Sequence, residues 1–275
     1  TARIFWLEGG IPYFYNEATG TVTNLFTLAG SVADGAVVAN NFSIALDIDS
    51  SGYAHAAWMA INSDSSDTYY YNEQTNTVTN VSRVAGGPGS SGALGVWASS
   101  VRIDVDAAGI AHIIWAEGAG SLEDMYYYNS GTGVDINLSS LIPGGYGAVG
   151  GITFNDNTTN IEIGQDGFAR IAWKENGVPP NTTNPYVFLY DGSTGTVTNI
   201  PDLLPAWNGA WPNEELTIHI DSTGGTHVVF IGRSNTPDSQ NVLYYNSNTG
   251  VVKDLSNLPG GSAGNYDTDG GAISN

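Results

Sequence analysis

The chain has 275 residues and no cysteine, and its 27 acids stand against 7 lysines and arginines, a formal net charge of −20. That imbalance repels nucleic acid and anionic membrane surfaces. The missing cysteines exclude a disulfide framework, and no apolar run approaches membrane-spanning length.

Taken in chain order, the predicted elements are short β-strands that return as one repeated phrase. Ala2-Arg3-Ile4-Phe5-Trp6 reads as a strand and aligns with Ala169-Arg170-Ile171-Ala172-Trp173, so the chain begins inside a repeat. Tyr13-Phe14-Tyr15-Asn16 follows, turning through Thr19-Gly20 into Thr21-Val22-Thr23-Asn24. The first complete repeat runs from Ile44 through a turn at Asp49–Gly52 into Ala54–Trp58, then on to Tyr69–Asn72 and Thr77–Asn80. Its opening half recurs at 103–115, 161–173 and 218–230, and its closing half begins again at Tyr126, Phe188 and Leu243. The matched glycines Gly52, Gly109, Gly167 and Gly224 are 57, 58 and 57 residues apart. β-branched and aromatic runs bounded by turn residues are the signature of strands and hairpins. Asp-x-x-Gly makes each tight turn, with glycine free to take a positive φ.

A period of this length identifies a repeat architecture, and four antiparallel strands repeated radially are a β-propeller blade. The expectation is therefore an all-β fold, a five-bladed β-propeller forming a single domain over 1–275. Its repeats lie at approximately 1–42, 43–99, 100–159, 160–215 and 216–275. Ala272–Asn275 fall where the next first strand should begin, so one blade is shared between the N- and C-termini. The alternative is a piece of a longer array with six or more blades. The absent initiator Met fits a mature or trimmed chain.

Successive connections in an up-and-down blade emerge on opposite faces. One face carries the short, uniform hairpins and reads as scaffold. The other carries the crossings at roughly 26–42, 83–99, 140–159, 201–215 and 256–272, which differ between repeats, and variable loops are where repeat scaffolds carry function. These crossings keep Trp97, Tyr146, Phe154, Trp207, Trp211 and Tyr266, and neighbouring connections add Glu8, Asp64, Asp67, Glu117, Glu123, Asp124 and Glu175. Aromatic faces stack on sugar rings while carboxylates and amides bond hydroxyls, a combination suited to neutral glycans. Trp97, Tyr146, Trp207, Trp211, Tyr266, Glu117 and Asp124 are the expected ligand-binding set. The competing role for these aromatics is to close blade interfaces.

Asp47, Asp104, Glu162 and His219 each stand five residues before the turn glycine, on innermost strands. Such a ring could hold a cation, Ca2+ being the candidate, or supply a general acid and base, or simply line a water-filled channel. Asp49, Asp106 and Asp221 stand three before the glycine and His55, His112 and His227 three after it, a repeated cross-strand contact read as structural. Gly164 and Arg170 replace that pair in one repeat. Five sequons, at Asn41, Asn80, Asn137, Asn157 and Asn181, are glycosylation candidates. Asn80 and Asn137 sit where the repeat wants Asn in any case.

The Asp-x-x-Gly-x-x-His-x-x-Trp run and the Tyr-Tyr-Asn-x-x-Thr-Gly-x-Val hairpin resemble the repeats of secreted and cell-surface β-propellers, a class that includes lectins and adhesins. The first run is also similar to the Asp-box turn of sialidase-like propellers, without the usual Ser before Asp or the Thr or Trp soon after Gly. Sialidase sites need clustered arginines, whereas Arg3, Arg83, Arg102, Arg170 and Arg233 are spread around the repeats. Five-bladed glycosidases place three acids around a central funnel, which Asp47, Asp104 and Glu162 imitate at a single repeated depth. The resemblance implies a non-catalytic extracellular propeller binding carbohydrate or another neutral surface ligand through its loop-rich face, with no catalytic residue and no cofactor assigned. The expected partner is a glycan or cell-surface ligand, not nucleic acid or a membrane interior. Two alternatives stand beside it: a subunit of a surface layer, sheath or filament self-assembling through the terminal blade, and a glycoside hydrolase using Asp47, Asp104 and Glu162.

Overall fold

The computed structural model describes residues 1–30, 38–61, 66–84, 101–119, 122–142, 159–175, 186–203, 207–210, 216–234 and 240–260. The chain divides into two compact units, Thr1–Asn137 and Leu138–Asn275, and every sheet in them is antiparallel.

The first unit holds three sheets. β1 (Arg3–Glu8), β2 (Ile11–Asn16) and β3 (Thr21–Asn24) form a three-stranded meander, closed by a single helical turn, α1 (Leu25–Ala29), that Asn24 caps through the Thr27 amide. β4 (Val38–Ile48), β5 (Ala54–Ile61), β6 (Ser66–Asn72) and β7 (Thr77–Asn80) follow in sequence order across the second sheet. The third repeats that order with β8 (Arg102–Val105), β9 (Ala111–Ala119), β10 (Leu122–Asn129) and β11 (Val134–Asn137). In the second unit, β12 (Thr159–Ile163), β13 (Ala169–Glu175), β14 (Tyr186–Asp191) and β15 (Thr196–Asn199) make the fourth sheet. β16 (Trp207–Ala210), β17 (Leu216–Ile220), β18 (Thr226–Ser234), β19 (Gln240–Asn246) and β20 (Val251–Asp254) make the fifth. Each sheet thus has the up-and-down order of a blade.

The fifth strand of the last sheet has a simple origin. β16 pairs with β18 at Ala210↔Gly232, and β17 pairs with the same edge from Leu216↔Phe230 onward. Six steps on one strand match two on the other, so the inner edge is made of two strands. β4 shows the milder form, passing from Ala39↔Ala60 to Ile44↔Trp58 with three surplus residues in one continuous strand. Both interruptions correct the sequence expectation. The crossings 26–42 and 201–215, expected as loops, contain the start of β4 and the whole of β16, which carries Trp207.

The turns form as their residues dictate. Gly52, Gly109, Gly167 and Gly224 take φ between +75° and +85°; in three of these turns the Asp three residues earlier accepts backbone N–H groups, and in the fourth Asp166, one residue before Gly167, accepts the Phe168 amide. Between sheets, apolar faces interlock. Phe5, Leu7 and Phe14 pack on Ala56, Trp58, Tyr69 and Tyr71 between the first and second sheets. Met59, Tyr70 and Val81 meet Ile113, Trp115, Tyr126 and Tyr128 between the second and third. Ala172, Leu189 and Ile200 meet Leu216, Ile218 and Phe230 between the fourth and fifth. Trp58, Trp115 and Trp173 are fully buried, each worth about 2–3 kcal/mol of apolar burial.

Candidate functional site

The four inner-strand groups that the sequence offers as chemistry are all hydrogen-bonded or ion-paired. Asp47 stands opposite His55 in register, and its Oδ2 accepts the Val105 amide of β8 at 2.9 Å, a bond from the second sheet to the third. Glu162 does the same in the second unit, its Oε2 accepting the Ile220 amide of β17 at 3.0 Å. His219 Nδ1 lies 3.2 Å from the other oxygen of Glu162, and Asp104 accepts the amide of Val105. Two of these carboxylates are therefore struts that tie one inner strand to the strand one repeat later. Among the described residues no three His, Asp or Glu side chains converge as a metal site.

The Asp and His flanking each turn meet, as their spacing predicts, though not as direct register partners. The aspartate does two jobs: Oδ1 holds the turn amides and Oδ2 faces the histidine. Asp49 lies 3.5 Å from His55 Nε2, Asp106 3.7 Å from His112 and Asp221 2.9 Å from His227. The other ring nitrogen of each histidine meets a tyrosine hydroxyl, His55–Tyr70 at 2.6 Å, His112–Tyr127 at 2.7 Å and His227–Tyr244 at 2.6 Å, with the rings stacked. Burial works against ionised Asp49, but bonds from Tyr53, His55 and Ser51 hold its carboxyl below the usual range. The Thr223 hydroxyl and His227 likewise hold the Asp221 carboxyl below its usual range. Burial pushes the His112 ring below its ordinary value. The fourth sheet solves the same problem differently: Asp166, one residue before the glycine, takes Arg170 at 2.9 Å, and Asp191 meets the same guanidinium at 3.2 Å.

A third repeated device was not foreseen. Glu117, offered as a ligand contact, is buried, and its Oε2 accepts from Ser82 Oγ at 2.6 Å and Trp115 Nε1 at 3.0 Å. Glu175 is bound identically by Ser139 and Trp173. The signal was available as Trp-x-Glu in two strands with Asn-x-Ser ending the outer strand before each. Where the second sheet has Ala60 in place of the glutamate, Trp58 Nε1 is left buried without a hydrogen bond.

Asp124 accepts Asn137 Nδ2 at 2.8 Å and Asp67 accepts Asn80 Nδ2 at 2.9 Å; the fifth sheet exchanges the roles, with Asn241 donating to Asp254. Asn80 is buried, so a glycan on its Nδ2 would have to displace that bond. Arg3, standing at the His position of the first sheet, binds Glu73 of the second at 2.8 Å. Glu8 is exposed at the end of β1. Trp97, Tyr146, Phe154, Trp211, Tyr266, Asp64, Asn157 and Asn181 lie outside the described residues, as do the side chains of Trp207, Glu123 and Asn41. The structure thus gathers the repeated polar residues into sheet-to-sheet and turn contacts.

No protein-family model and no curated protein matches the chain. Among solved structures it is similar to TolB from Acinetobacter baumannii, at 17% identity and a TM-score of 0.42 over 91% of this chain and 50% of that one. It is also similar to the polysaccharide lyase Uly1, at 12% identity and 0.45 over 94% and 70%, and to the GH74 enzyme of Niastella koreensis, at 12% and 0.45 over 95% and 36%. The chain spans about half the length of the TolB chain. At TM-scores below 0.5 these likenesses assign neither an activity nor a ligand.

Proposed function

We propose that the protein is a non-catalytic, extracellular β-propeller that binds carbohydrate or another neutral surface ligand through the connections opposite its Asp-x-x-Gly turns. One observation carries this reading. The polar groups that recur from sheet to sheet are committed to holding the sheets: Asp47 and Glu162 to neighbouring strands, the histidines to Asp and Tyr, Glu117 and Glu175 to Ser and Trp. Chemistry that distinguishes one repeat from another is left to the divergent crossings, whose aromatics and low charge favour neutral sugars over anions. A glycan array with the wild-type chain and with Trp207→Ala and Trp211→Ala tests it. Retained glycan signal that falls at least tenfold in either variant supports the site; equal binding by both variants overturns it.

Blade closure belongs to the same proposal. Ile44 and Leu216 stand eight residues before their turn glycines and face Trp58 and Phe230. One further step of 57 residues along the sequence reaches Ile273, which in a closed ring would face Trp6, with Asn275 then facing Ile4. Among the described residues β1 pairs with β2 alone, leaving an edge that accepts such a strand. That free edge also favours the second reading, a surface-layer or filament subunit whose edge a neighbouring copy completes. The cysteine-free chain allows a clean trial: Ile4→Cys with Asn275→Cys, oxidised. A cross-linked monomer supports closure within one chain, and cross-linked multimers support assembly.

A further inference from the structure

The outer strands place valine at one repeated position, as Val22, Val78, Val197 and Val252, and there β11 carries Asp135. Asp135 lies opposite Tyr128 on the third sheet, is 4% exposed, and neither of its oxygens has a hydrogen-bond partner. Glu117, 2% exposed, shares its burial between the second and third sheets, with Ser82 and Trp115 on one oxygen. The charged and titratable groups around the pair are Asp67 and Arg83 from the second sheet and Asp124, Tyr126 and Tyr128 from the third. Arg83 is held 3.0 Å from Asp67. An ionised carboxylate buried without partners is strongly unfavourable, whereas the neutral acid is tolerated.

We propose that the seam between the second and third sheets is a proton-gated latch, packed while Glu117 and Asp135 are neutral carboxylic acids and loosened when they lose their protons. Burial pushes Glu117 up to about 7, against the bonds from Ser82 and Trp115; burial and then the charge of Glu117 push Asp135 up to about 8. Both values lie above those of an exposed acid, so the packed state keeps protons that an opened state releases. Stability of the seam is therefore fully present below about 4, where the opened acids are protonated too, and is lost as pH rises from there through about 7 to 8. Glu117 and Asp124 are register partners two pairs from the facing ends of β9 and β10. The latch thus couples proton activity to the strands that present one of the variable connections.

The fourth sheet is an internal control, because it keeps the Ser139–Glu175–Trp173 arrangement with Val197 at the Asp135 position. Hydrogen–deuterium exchange, normalised to the unstructured rate at each pH, should show protection in 111–117 and 124–137 falling at least tenfold from pH 5 to pH 9. Segment 186–199 should not follow. Asp135→Val, the residue of the sister repeats, should lessen the fall to the part that Glu117 carries, and Asp135→Asn, which keeps the shape and cannot ionise, should do the same if the valine variant fails to fold. A flat wild-type profile, an undiminished fall in these variants, or an equal fall in 186–199 overturns the latch.

Discussion

Gly109 sits at φ +81°, where a side chain is strained, and a Cβ there would come within 3.3 Å of Asp49 Oδ2 in the neighbouring sheet. Gly109→Ala should therefore cost about 1–2 kcal/mol, read as a lower urea midpoint with unchanged slope. Tyr127 offers a second residue-scale trial. Its hydroxyl is the partner of fully enclosed His112 Nδ1, so Tyr127→Phe removes one bond and strands a buried ring nitrogen, at about 1–3 kcal/mol. The same change at Tyr244 should cost less, because His227 is partly exposed and keeps Asp221 at 2.9 Å. Legibility is uneven at this scale. The Asp–His contacts follow from residues placed symmetrically about a turn glycine. The Asp166–Arg170 pair escaped because the carboxylate moved two places along the turn to reach a longer side chain. The tyrosines were visible only as strand formers, since their hydroxyl partners lie 15 to 17 residues earlier.

At the scale of elements, the inner-strand carboxylates separate structure from catalysis by substitution. Asp47→Asn keeps an oxygen for the Val105 amide and should lose under about 1 kcal/mol, whereas Asp47→Ala removes the bond between the sheets, leaves that amide to Asp104 alone and should lose about 1–2 kcal/mol. A catalytic acid would show the opposite emphasis, with Asn as damaging to turnover as Ala. Thermal unfolding of the two variants, with Glu162→Gln and Glu162→Ala alongside, decides between them. The meander order was readable because Tyr-Tyr-Asn hairpins and Asp-x-x-Gly turns specify local pairing. The split inner strand was not, because Trp207-Asn208-Gly209-Ala210 has neither alternation nor β-branched residues, and its partner Gly232–Ser234 supplies the strand character. The Ser–Glu–Trp seams were hidden for another reason: their members lie 35 and 36 residues apart on different sheets, and each looks ordinary in its own strand.

For the molecule as a whole, composition governs behaviour that no single contact does. With a sequence pI near 4.1 and a net charge of −20, the chain should stay dispersed at neutral pH and precipitate most readily near pH 4. Immobilised heparin or DNA should not retain it at low salt, which a single column run checks. The candidate ligand surface is the least legible feature because its aromatics lie in crossings that differ from repeat to repeat, where no periodic pattern fixes a position. The repeat itself, by contrast, is a property of the entire sequence and needs no structure to be seen.

The struts from Asp47 to Val105 and from Glu162 to Ile220 both reach 58 residues forward, about one repeat length. In each such pair the earlier sheet offers the acceptor and the later sheet the donor, like courses of brick keyed by the same joint. A chain emerging from the ribosome can therefore set each course on the one already laid, without waiting for its distant end. Gene duplication of such a pair would insert two courses already keyed to each other, which makes repeat number an easy trait to change by descent.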